Sequence, residues 1–210
     1  MIARRTRSRL DAAGALIALA LWAGLAAALS SEGVQRFDAA VRLAVHRWAS
    51  PNLTALMQGI AVLGSVGFLA AAALVAIAGL LVAGRRRSAI ALAGTMAGAF
   101  LLENAMKYAI HRVRPEPFFG TEPETYSFPS GHALFSLCFY CTLASGLAQR
   151  RRSGLARAAI GTAAAALIAA IGLSRIYLGV HYPSDVLGGY LAAAFWLGVV
   201  AAIRGLRSRR

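Results

Sequence analysis

The chain has 210 residues, of which 59% are apolar and only 14% are charged, and its formal net charge is +14. Soluble globular domains contain about 25% charged residues, so this composition excludes an ordinary soluble protein. The arginines cluster at the ends of apolar segments instead of forming one continuous basic face, which argues against a nucleic-acid partner.

Six apolar segments of membrane-spanning length follow one another along the chain. They cover residues 12–30, 60–84, 89–110, 133–148, 158–173 and 186–203. Basic residues precede the first segment, as in a secretory signal peptide, but its alanine-rich helix has no clear cleavage turn, so we interpret it as a membrane anchor. Because the six segments use most of the chain, we predict an all-α, six-transmembrane helical bundle that forms a single membrane-embedded domain, residues 1–210.

Between the first two segments, residues 34–48 have the pattern of a short amphipathic helix. The apolar residues that recur at helical spacing are Phe37, Val41, Val45 and Trp48. The charged residues elsewhere around the turn are Arg36, Asp38, Arg42 and Arg47. This pattern predicts a helix that lies in the outer membrane interface, with His46 as a surface residue and not a ligand.

The basic residues are divided unevenly between the two sides of this topology. Clusters precede the first segment, separate the second from the third and the fourth from the fifth, and follow the sixth. The positive-inside rule places this side, and with it both termini, in the cytoplasm. All six prolines fall in the connections on the opposite, outer side: Pro51, Pro115, Pro117, Pro123, Pro129 and Pro183.

Three motifs on the outer side concentrate the reactive side chains. They occupy residues 107–115, 129–132 and 174–185, each beside an apolar segment, and they converge on one face. Their charged and imidazole groups include Lys107, Arg114, His132, Arg175, His181 and Asp185. Lys107 is the only lysine among 22 basic residues, which indicates that its position requires a compact ammonium group.

The chemistry of these residues favours a phosphate site over a metal site. His132, His181 and Asp185 could form a catalytic zinc site. However, three cations at the same place would repel a divalent ion and attract a phosphate dianion, which arginine binds bidentately. We therefore expect no metal and no other cofactor.

The motifs resemble the signature of the type 2 phosphatidic acid phosphatase family, which is K-x6-R-P, P-S-G-H and S-R-x5-H-x3-D. All three parts match between Lys107 and Asp185 without a departure, and the apolar segments resemble the bacterial membrane branch of the family. The resemblance implies a metal-independent phosphatase in which His181 is the nucleophile, fixed by Asp185, and His132 is the general acid and base. The phosphate-binding residues that it implies are Lys107, Arg114, Ser130, Gly131 and Arg175.

The site among helices also indicates the kind of substrate, because it gives an amphiphile lateral access from the outer leaflet. We therefore expect a lipid phosphate or diphosphate and an active site that faces the periplasm or the cell exterior of a bacterial cytoplasmic membrane. The run Tyr-Ser-Phe-Pro-Ser-Gly-His-Ala resembles bacterial enzymes acting on undecaprenyl diphosphate or phosphatidylglycerol phosphate. Undecaprenyl diphosphate is the first candidate, with phosphatidylglycerol phosphate and phosphatidic acid as alternatives.

Two other classes of protein share part of this pattern. A non-catalytic lipid carrier or channel would also place charges in a helical bundle, but it would not need two histidines with an aspartate partner. Vanadium-dependent haloperoxidases share the phosphate-binding pattern by family resemblance, but they are soluble. Phosphate release from the purified protein would separate an enzyme from a carrier.

Three further residues near the first motif are interpreted as supporting the site. Glu103 precedes Lys107 by four residues, so one helix face could carry both as an ion pair. An ionisable residue within a membrane span is a functional candidate, and we expect Glu103 to position Lys107 or a neighbouring arginine. His111 and Arg112 lie between the motif positions. We expect them to support the site and not to take part in catalysis.

Overall fold

The computed structural model describes residues 2–120 and 125–207, with side chains described between residues 10 and 205 of these ranges. This part of the chain forms eight helices and no strand, which confirms the all-α prediction. The helices are α1 Ile2–Ala28, α2 Glu32–His46, α3 Pro51–Val62, α4 Val66–Val82, α5 Arg86–Ile110, α6 Gly131–Ala148, α7 Gly154–Tyr177 and α8 Pro183–Arg207.

The membrane-spanning character of the bundle is confirmed, with one change in its second span. Among the described residues, five helices are long and apolar enough to cross a membrane, and α3 with α4 makes a sixth if the bent pair is one span. The second predicted span, residues 60–84, is not one continuous helix. The α3 helix ends at Val62, α4 begins at Val66, and the chain bends by 47° between them.

Local hydrogen bonding explains the break between α3 and α4. The side chain of Ser65 accepts the backbone N–H of Phe68 at 3.3 Å, so it caps the start of a new helix. On the other side of the break, the carbonyl of Leu63 accepts the hydroxyl of Tyr140 at 2.9 Å. Because apolar residues continue across the break, hydropathy alone predicted one helix there.

The α6 helix is central to the bundle and packs against α7, α8, α5 and α4. Its Leu134 and Cys138 are fully buried in a core that also contains Ala99 of α5 and Ala192 of α8. Between helices in a membrane, close packing replaces the hydrophobic effect, since lipid is as apolar as the side chains. Small residues such as these alanines allow the helices to approach closely.

The short helix between the first two spans is confirmed as α2, and one of its charged residues is buried, which the sequence did not predict. Asp38 is 1% exposed and Val45 is 6% exposed, whereas Phe37 and Trp48 are 47% and 58% exposed. The α2 helix packs against α7 and α8. The carboxylate of Asp38 forms an ion pair with the guanidinium of Arg112. This contact explains why a charged residue faces inward while two aromatic residues face outward.

His46 also differs from the prediction of a surface residue. Its ring is half-buried and stacks on Phe118, with 4.0 Å between the ring centroids. The stacking joins the end of α2 to the connection that follows α5.

The three motif segments meet at one end of the bundle, as predicted. His111 ends α5 in a left-handed conformation with φ of 52°, and the chain then runs across the ends of the later helices. The N–H of Phe118 donates to the carbonyl of Leu178 at 3.0 Å, which joins the connection that follows the first motif to the third motif segment. The N–H of Ser130 donates to the carbonyl of Asp185 at 2.9 Å, which joins the second and third.

Candidate active site

A cavity of about 720 Å³ lies where the three motif segments meet. Most of the predicted site residues line this cavity: Lys107, Arg114, Gly131, His132, Arg175 and His181. The remaining two, Ser130 and Asp185, are fully buried beside Gly131 and His181. The structure therefore brings together all the residues that the sequence predicted for the site.

The ring of His181 lies in the turn between α7 and α8, in contact with Asp185. Its Nδ1 is 3.4 Å from Asp185 Oδ2, and its Nε2 is 3.0 Å from Arg114 Nη1. A carboxylate only accepts hydrogen bonds, so the proton belongs on Nδ1 and Nε2 keeps a lone pair. Burial lowers the pKa of His181 to about 4, although Asp185 raises it, and Arg114 and Arg175 lower it further. His181 is therefore neutral near pH 7.

Several donors hold the carboxylate of Asp185 in one orientation. Its Oδ2 accepts the backbone N–H of Tyr182 at 2.8 Å and the hydroxyl of Ser127. Its Oδ1 accepts Nη1 of Arg112 at 2.6 Å. Asp185 is the third residue of α8, and a carboxylate at that position commonly receives the N–H that precedes the helix. The start of α8 thereby positions the partner of His181.

The predicted cations come from three separate elements: the last turn of α5, the connection after it, and α7. Lys107 Nζ lies 2.9 Å from Glu103 Oε1, which confirms the predicted ion pair. The hydroxyl of Thr125 accepts Nη2 of Arg114 at 2.8 Å and Nζ of Lys107 at 3.3 Å. Thr125 therefore sets the spacing between two cations of the site.

The lack of a side chain at Gly131 is also required by the packing of its neighbours. A Cβ atom at this position would lie 2.8 Å from Glu103 Oε1. The absence of a side chain therefore leaves room for the carboxylate that pairs with Lys107.

Two polar atoms of the predicted phosphate-binding residues are buried and make no hydrogen bond within the described part of the chain. They are Ser130 Oγ and Arg175 Nε. Buried donors almost always have partners in native proteins, so these two groups suit a ligand that brings oxygen acceptors. The charge of the cavity agrees with an anionic ligand, because its charged lining residues are Glu103, Lys107, Arg112, Arg114 and Arg175.

The cavity also has an apolar part. Phe100, seven residues before Lys107, lines it from roughly 10 Å further down α5, given the rise of a helix. Val66 and Tyr108 line it as well, and the three side chains are between 49% and 67% exposed. The cavity is therefore lined by cations and also by exposed apolar side chains, of which Phe100 lies furthest from Lys107 along α5.

His132 begins α6 and lines the same cavity, next to the break between α3 and α4. A Cβ atom on Gly64 would lie 3.2 Å from His132 Cδ2 and 2.3 Å from Ile171 Cγ2. The glycine lets the backbone of the break pass against the edge of the imidazole ring. The break thus helps to set the position of His132.

Replacing Gly64 by alanine is expected to displace His132 or Ile171, because the added methyl group has no room. Misplacing a catalytic group by about 1 Å can cost on the order of 10²-fold, so we expect kcat to fall by about 10- to 100-fold. The control is Gly67→Ala, where a Cβ atom meets nothing within 4 Å. Equal phosphate-release rates for the two variants would show that Gly64 does not set the ring position.

Sequence reasoning missed four residues of the hydrogen-bond network around the site: Thr125 and Ser127, which contact site residues directly, and Asp38 and Ser184, which bind Arg112. Arg112 was expected to support the site, and it binds Asp185, Ser184 and Asp38. Thr125, Ser127 and Ser184 lie within or next to the motifs, so proximity in sequence was a usable signal. Asp38 had no such signal, because it is an isolated carboxylate on an amphipathic helix.

Helices that cross a membrane, and a cationic cavity with two histidines, define the class of integral-membrane phosphatases. The sequence model of the PAP2 superfamily matches residues 88–209, and the chain belongs to this superfamily. The family resemblance seen in the motifs is therefore confirmed, and with it the phosphatase class.

The relatives of the chain include bacterial lipid phosphatases. It is 32% identical over 167 residues to phosphatidylglycerophosphatase B of Bacillus subtilis, covering 79% of this chain and 82% of the relative. It is 32% identical over 190 residues to decaprenylphosphoryl-5-phosphoribose phosphatase of Mycobacterium tuberculosis, covering 85% and 97%. The fold matches the crystal structure of a transmembrane PAP2 type phosphatidylglycerolphosphate phosphatase from Bacillus subtilis, with a TM-score of 0.84, 28% identity, and coverage of 93% and 96%.

Proposed function

We propose that the protein removes a phosphate group from a lipid phosphate or diphosphate at the outer leaflet, through a phosphohistidine intermediate. The observation that carries this proposal is the lining of the cavity, which is both cationic and apolar. Its cations and histidines suit a phosphate head group, and its exposed apolar side chains, Phe100 and Tyr108, suit the adjoining lipid chain. We further take residues 1–210 as one catalytic domain, since α2 and α8 contribute to the same buried contacts.

In the first half-reaction, Lys107, Arg114 and Arg175 bind the non-bridging oxygens, with the Ser130 hydroxyl and the Gly131 N–H as further donors. Nε2 of His181 attacks phosphorus, and the bond to the lipid oxygen breaks. His132 donates a proton to that leaving oxygen. Asp185 accepts the Nδ1–H bond and stabilises the positive charge that develops on the ring. Most of the catalysis comes from positioning and charge stabilisation, as in other phosphoryl transfers.

In the second half-reaction, His132 acts as a base. It takes a proton from water, whose oxygen attacks the phosphorus of the phosphohistidine, and the bond between phosphorus and Nε2 breaks. Inorganic phosphate leaves, and His181 returns to its neutral form. His132 ends the cycle protonated, as it began.

Two lipids are the leading candidate substrates. The residues around Ser130 resemble enzymes that act on either lipid. Undecaprenyl diphosphate, a polyprenyl substrate, agrees with the mycobacterial relative, whose name includes decaprenylphosphoryl-5-phosphoribose. Phosphatidylglycerol phosphate is favoured by the similarity to the two Bacillus subtilis proteins. Both carry a terminal phosphate on a head group that is joined to long apolar chains.

The function is tested with a panel of substrates offered to the purified protein in detergent: undecaprenyl diphosphate, phosphatidylglycerol phosphate, phosphatidic acid and, as a soluble comparison, glycerol 3-phosphate. We expect at least one lipid to be hydrolysed with a much higher kcat/KM than glycerol 3-phosphate.

Phosphate release should survive EDTA, because the cations of the site are side chains, and vanadate should inhibit it. Loss of activity in EDTA that a divalent metal restores would overturn the proposed mechanism.

The charge pattern predicts the orientation of the protein in a bacterial cytoplasmic membrane. A reporter fused after Arg210 is expected to lie in the cytoplasm. A cysteine replacing the exposed Glu116 is expected to react with a membrane-impermeant thiol reagent from outside, while the parent protein serves as the blank. If both labels report the opposite side, the outer-leaflet assignment is wrong, although the catalytic assignment could still hold.

A further inference from the structure

Asp38 is a buried carboxylate that belongs to none of the three motifs. It lies on α2, is 1% exposed, and is separated from Ser184 by 146 positions in the chain. We propose that Asp38 is a positioning residue for the reaction, acting through Arg112 and Ser184 to hold Asp185 and thereby His181. This inference rests on the proposed role of His181 as the nucleophile.

Two short hydrogen bonds through Arg112 connect Asp38 to Asp185, and Asp185 lies 3.4 Å from the ring of His181. Asp38 Oδ2 accepts Arg112 Nη2 at 2.8 Å, and Arg112 Nη1 donates to Asp185 Oδ1 at 2.6 Å. The guanidinium of Arg112 therefore bridges two carboxylates, one on α2 and one on α8. The second carboxylate, Asp185, contacts Nδ1 of His181.

Ser184 makes the contact with Asp38 more specific. Its backbone N–H donates to Asp38 Oδ1 at 2.9 Å, and its hydroxyl donates to Asp38 Oδ2 at 2.6 Å. The same hydroxyl accepts Nη1 of Arg112 at 2.7 Å. Both oxygens of Asp38 are thus used to fix the first turn of α8, one residue before Asp185.

The charge balance explains why a carboxylate suits this position. Without Asp38, the buried Arg112 would have Asp185 as its main counter-charge, and Asp185 would be drawn towards it and away from His181. By sharing Arg112, Asp38 leaves Asp185 more able to stabilise positive charge on the imidazole. A buried charge is costly unless it is paired, so the carboxylate of Asp38 also stabilises the position of Arg112.

Asp38→Asn tests the inference because it keeps the size of the side chain and removes its charge. We expect kcat to fall by about 10- to 100-fold, as for a catalytic group that is slightly misplaced. KM should change by less than about threefold, since Asp38 is hydrogen-bonded to Arg112 and Ser184, and neither is among the proposed phosphate-binding residues. Glu32→Gln is the matched control, because Glu32 lies on the same helix, is exposed and pairs with Arg36.

A double-mutant cycle separates positioning from simple loss of stability. If Asp38 acts through Arg112, the double variant Asp38→Asn/Arg112→Gln should lose little more in kcat than Arg112→Gln alone, because residues in one network are not additive. Ser184→Ala provides a second test should Asp38→Asn fail to fold, and it is expected to lower kcat while leaving KM unchanged. Additive losses, or a normal kcat in Asp38→Asn, would overturn the inference.

The activity of His181→Ala is measured in parallel, so that a failure of the proposed function can be distinguished from a failure of this inference. An active His181→Ala would refute the proposed function, and the inference would fall with it. An inactive His181→Ala beside a fully active Asp38→Asn would refute the inference alone.

Discussion

His181→Ala is expected to abolish phosphate release and phosphoenzyme formation, because no nucleophile remains in the cavity. Removal of one member of a catalytic unit lowers kcat by roughly 10⁴- to 10⁶-fold in other hydrolases, and we expect a loss in this range. The measurement uses a lipid substrate with radioactive phosphorus, with the reaction stopped in alkaline detergent because phosphohistidine is labile in acid. The labelled band present in the parent protein should be missing from the variant.

His46→Ala is the matched control for this experiment. His46 stacks on Phe118 and does not line the cavity, so its loss should leave the labelled band in place. A thermal melt of each variant in detergent checks that the fold is retained. Phosphoenzyme trapped in His181→Ala but never in His132→Ala would mean that the roles of the two histidines are exchanged.

The site could be predicted from the sequence because its chemistry is carried by uncommon residues at helix ends. In a chain with a single lysine, the spacing from Lys107 to Arg114 stands out, and His181 and Asp185 are four residues apart. The Glu103–Lys107 pair could be predicted for the same reason, since residues four apart share a helix face. Local spacing is enough where both partners lie in one helix or one turn.

The contacts of Asp38 could not be predicted, because they depend on tertiary packing. A charged residue on an amphipathic helix is normally solvated, and α2 has apolar residues on both sides of it. The inward carboxylate is favourable because Arg112 and the start of α8, at Ser184, both donate to it. The partners are so distant in the chain that no local pattern relates them.

The break between α3 and α4 was missed for a different reason. The residues around Gly64 and Ser65 are as compatible with an apolar span as with a helix end, and hydropathy does not distinguish them. The helix break is stabilised by two hydrogen bonds. The N–H of Phe68 donates to the side chain of Ser65, and the hydroxyl of Tyr140 donates to the carbonyl of Leu63. Such small polar contacts carry little weight in a hydropathy profile.

His132→Ala is expected to have an effect that depends on the leaving group. A lipid alkoxide needs protonation as it leaves, whereas the phosphate that leaves from a diphosphate is already stabilised. General acid catalysis is worth roughly 10²- to 10⁴-fold, so kcat/KM should fall by that factor on a lipid monophosphate and by far less on the diphosphate. Arg175→Gln is the control, because loss of a phosphate-binding cation should lower kcat/KM by similar factors on both substrates.

The second half-reaction gives His132→Ala a further signature, since kcat/KM reports only the steps up to the phosphohistidine. Without His132, water attacks this intermediate unaided, so its hydrolysis should limit kcat on the diphosphate, whose first step is little affected. On this substrate phosphoenzyme should accumulate, and the lipid product should appear in an initial burst. Equal losses of kcat/KM on both substrates, with no burst, would remove His132 from proton transfer and leave it a role in binding the phosphate.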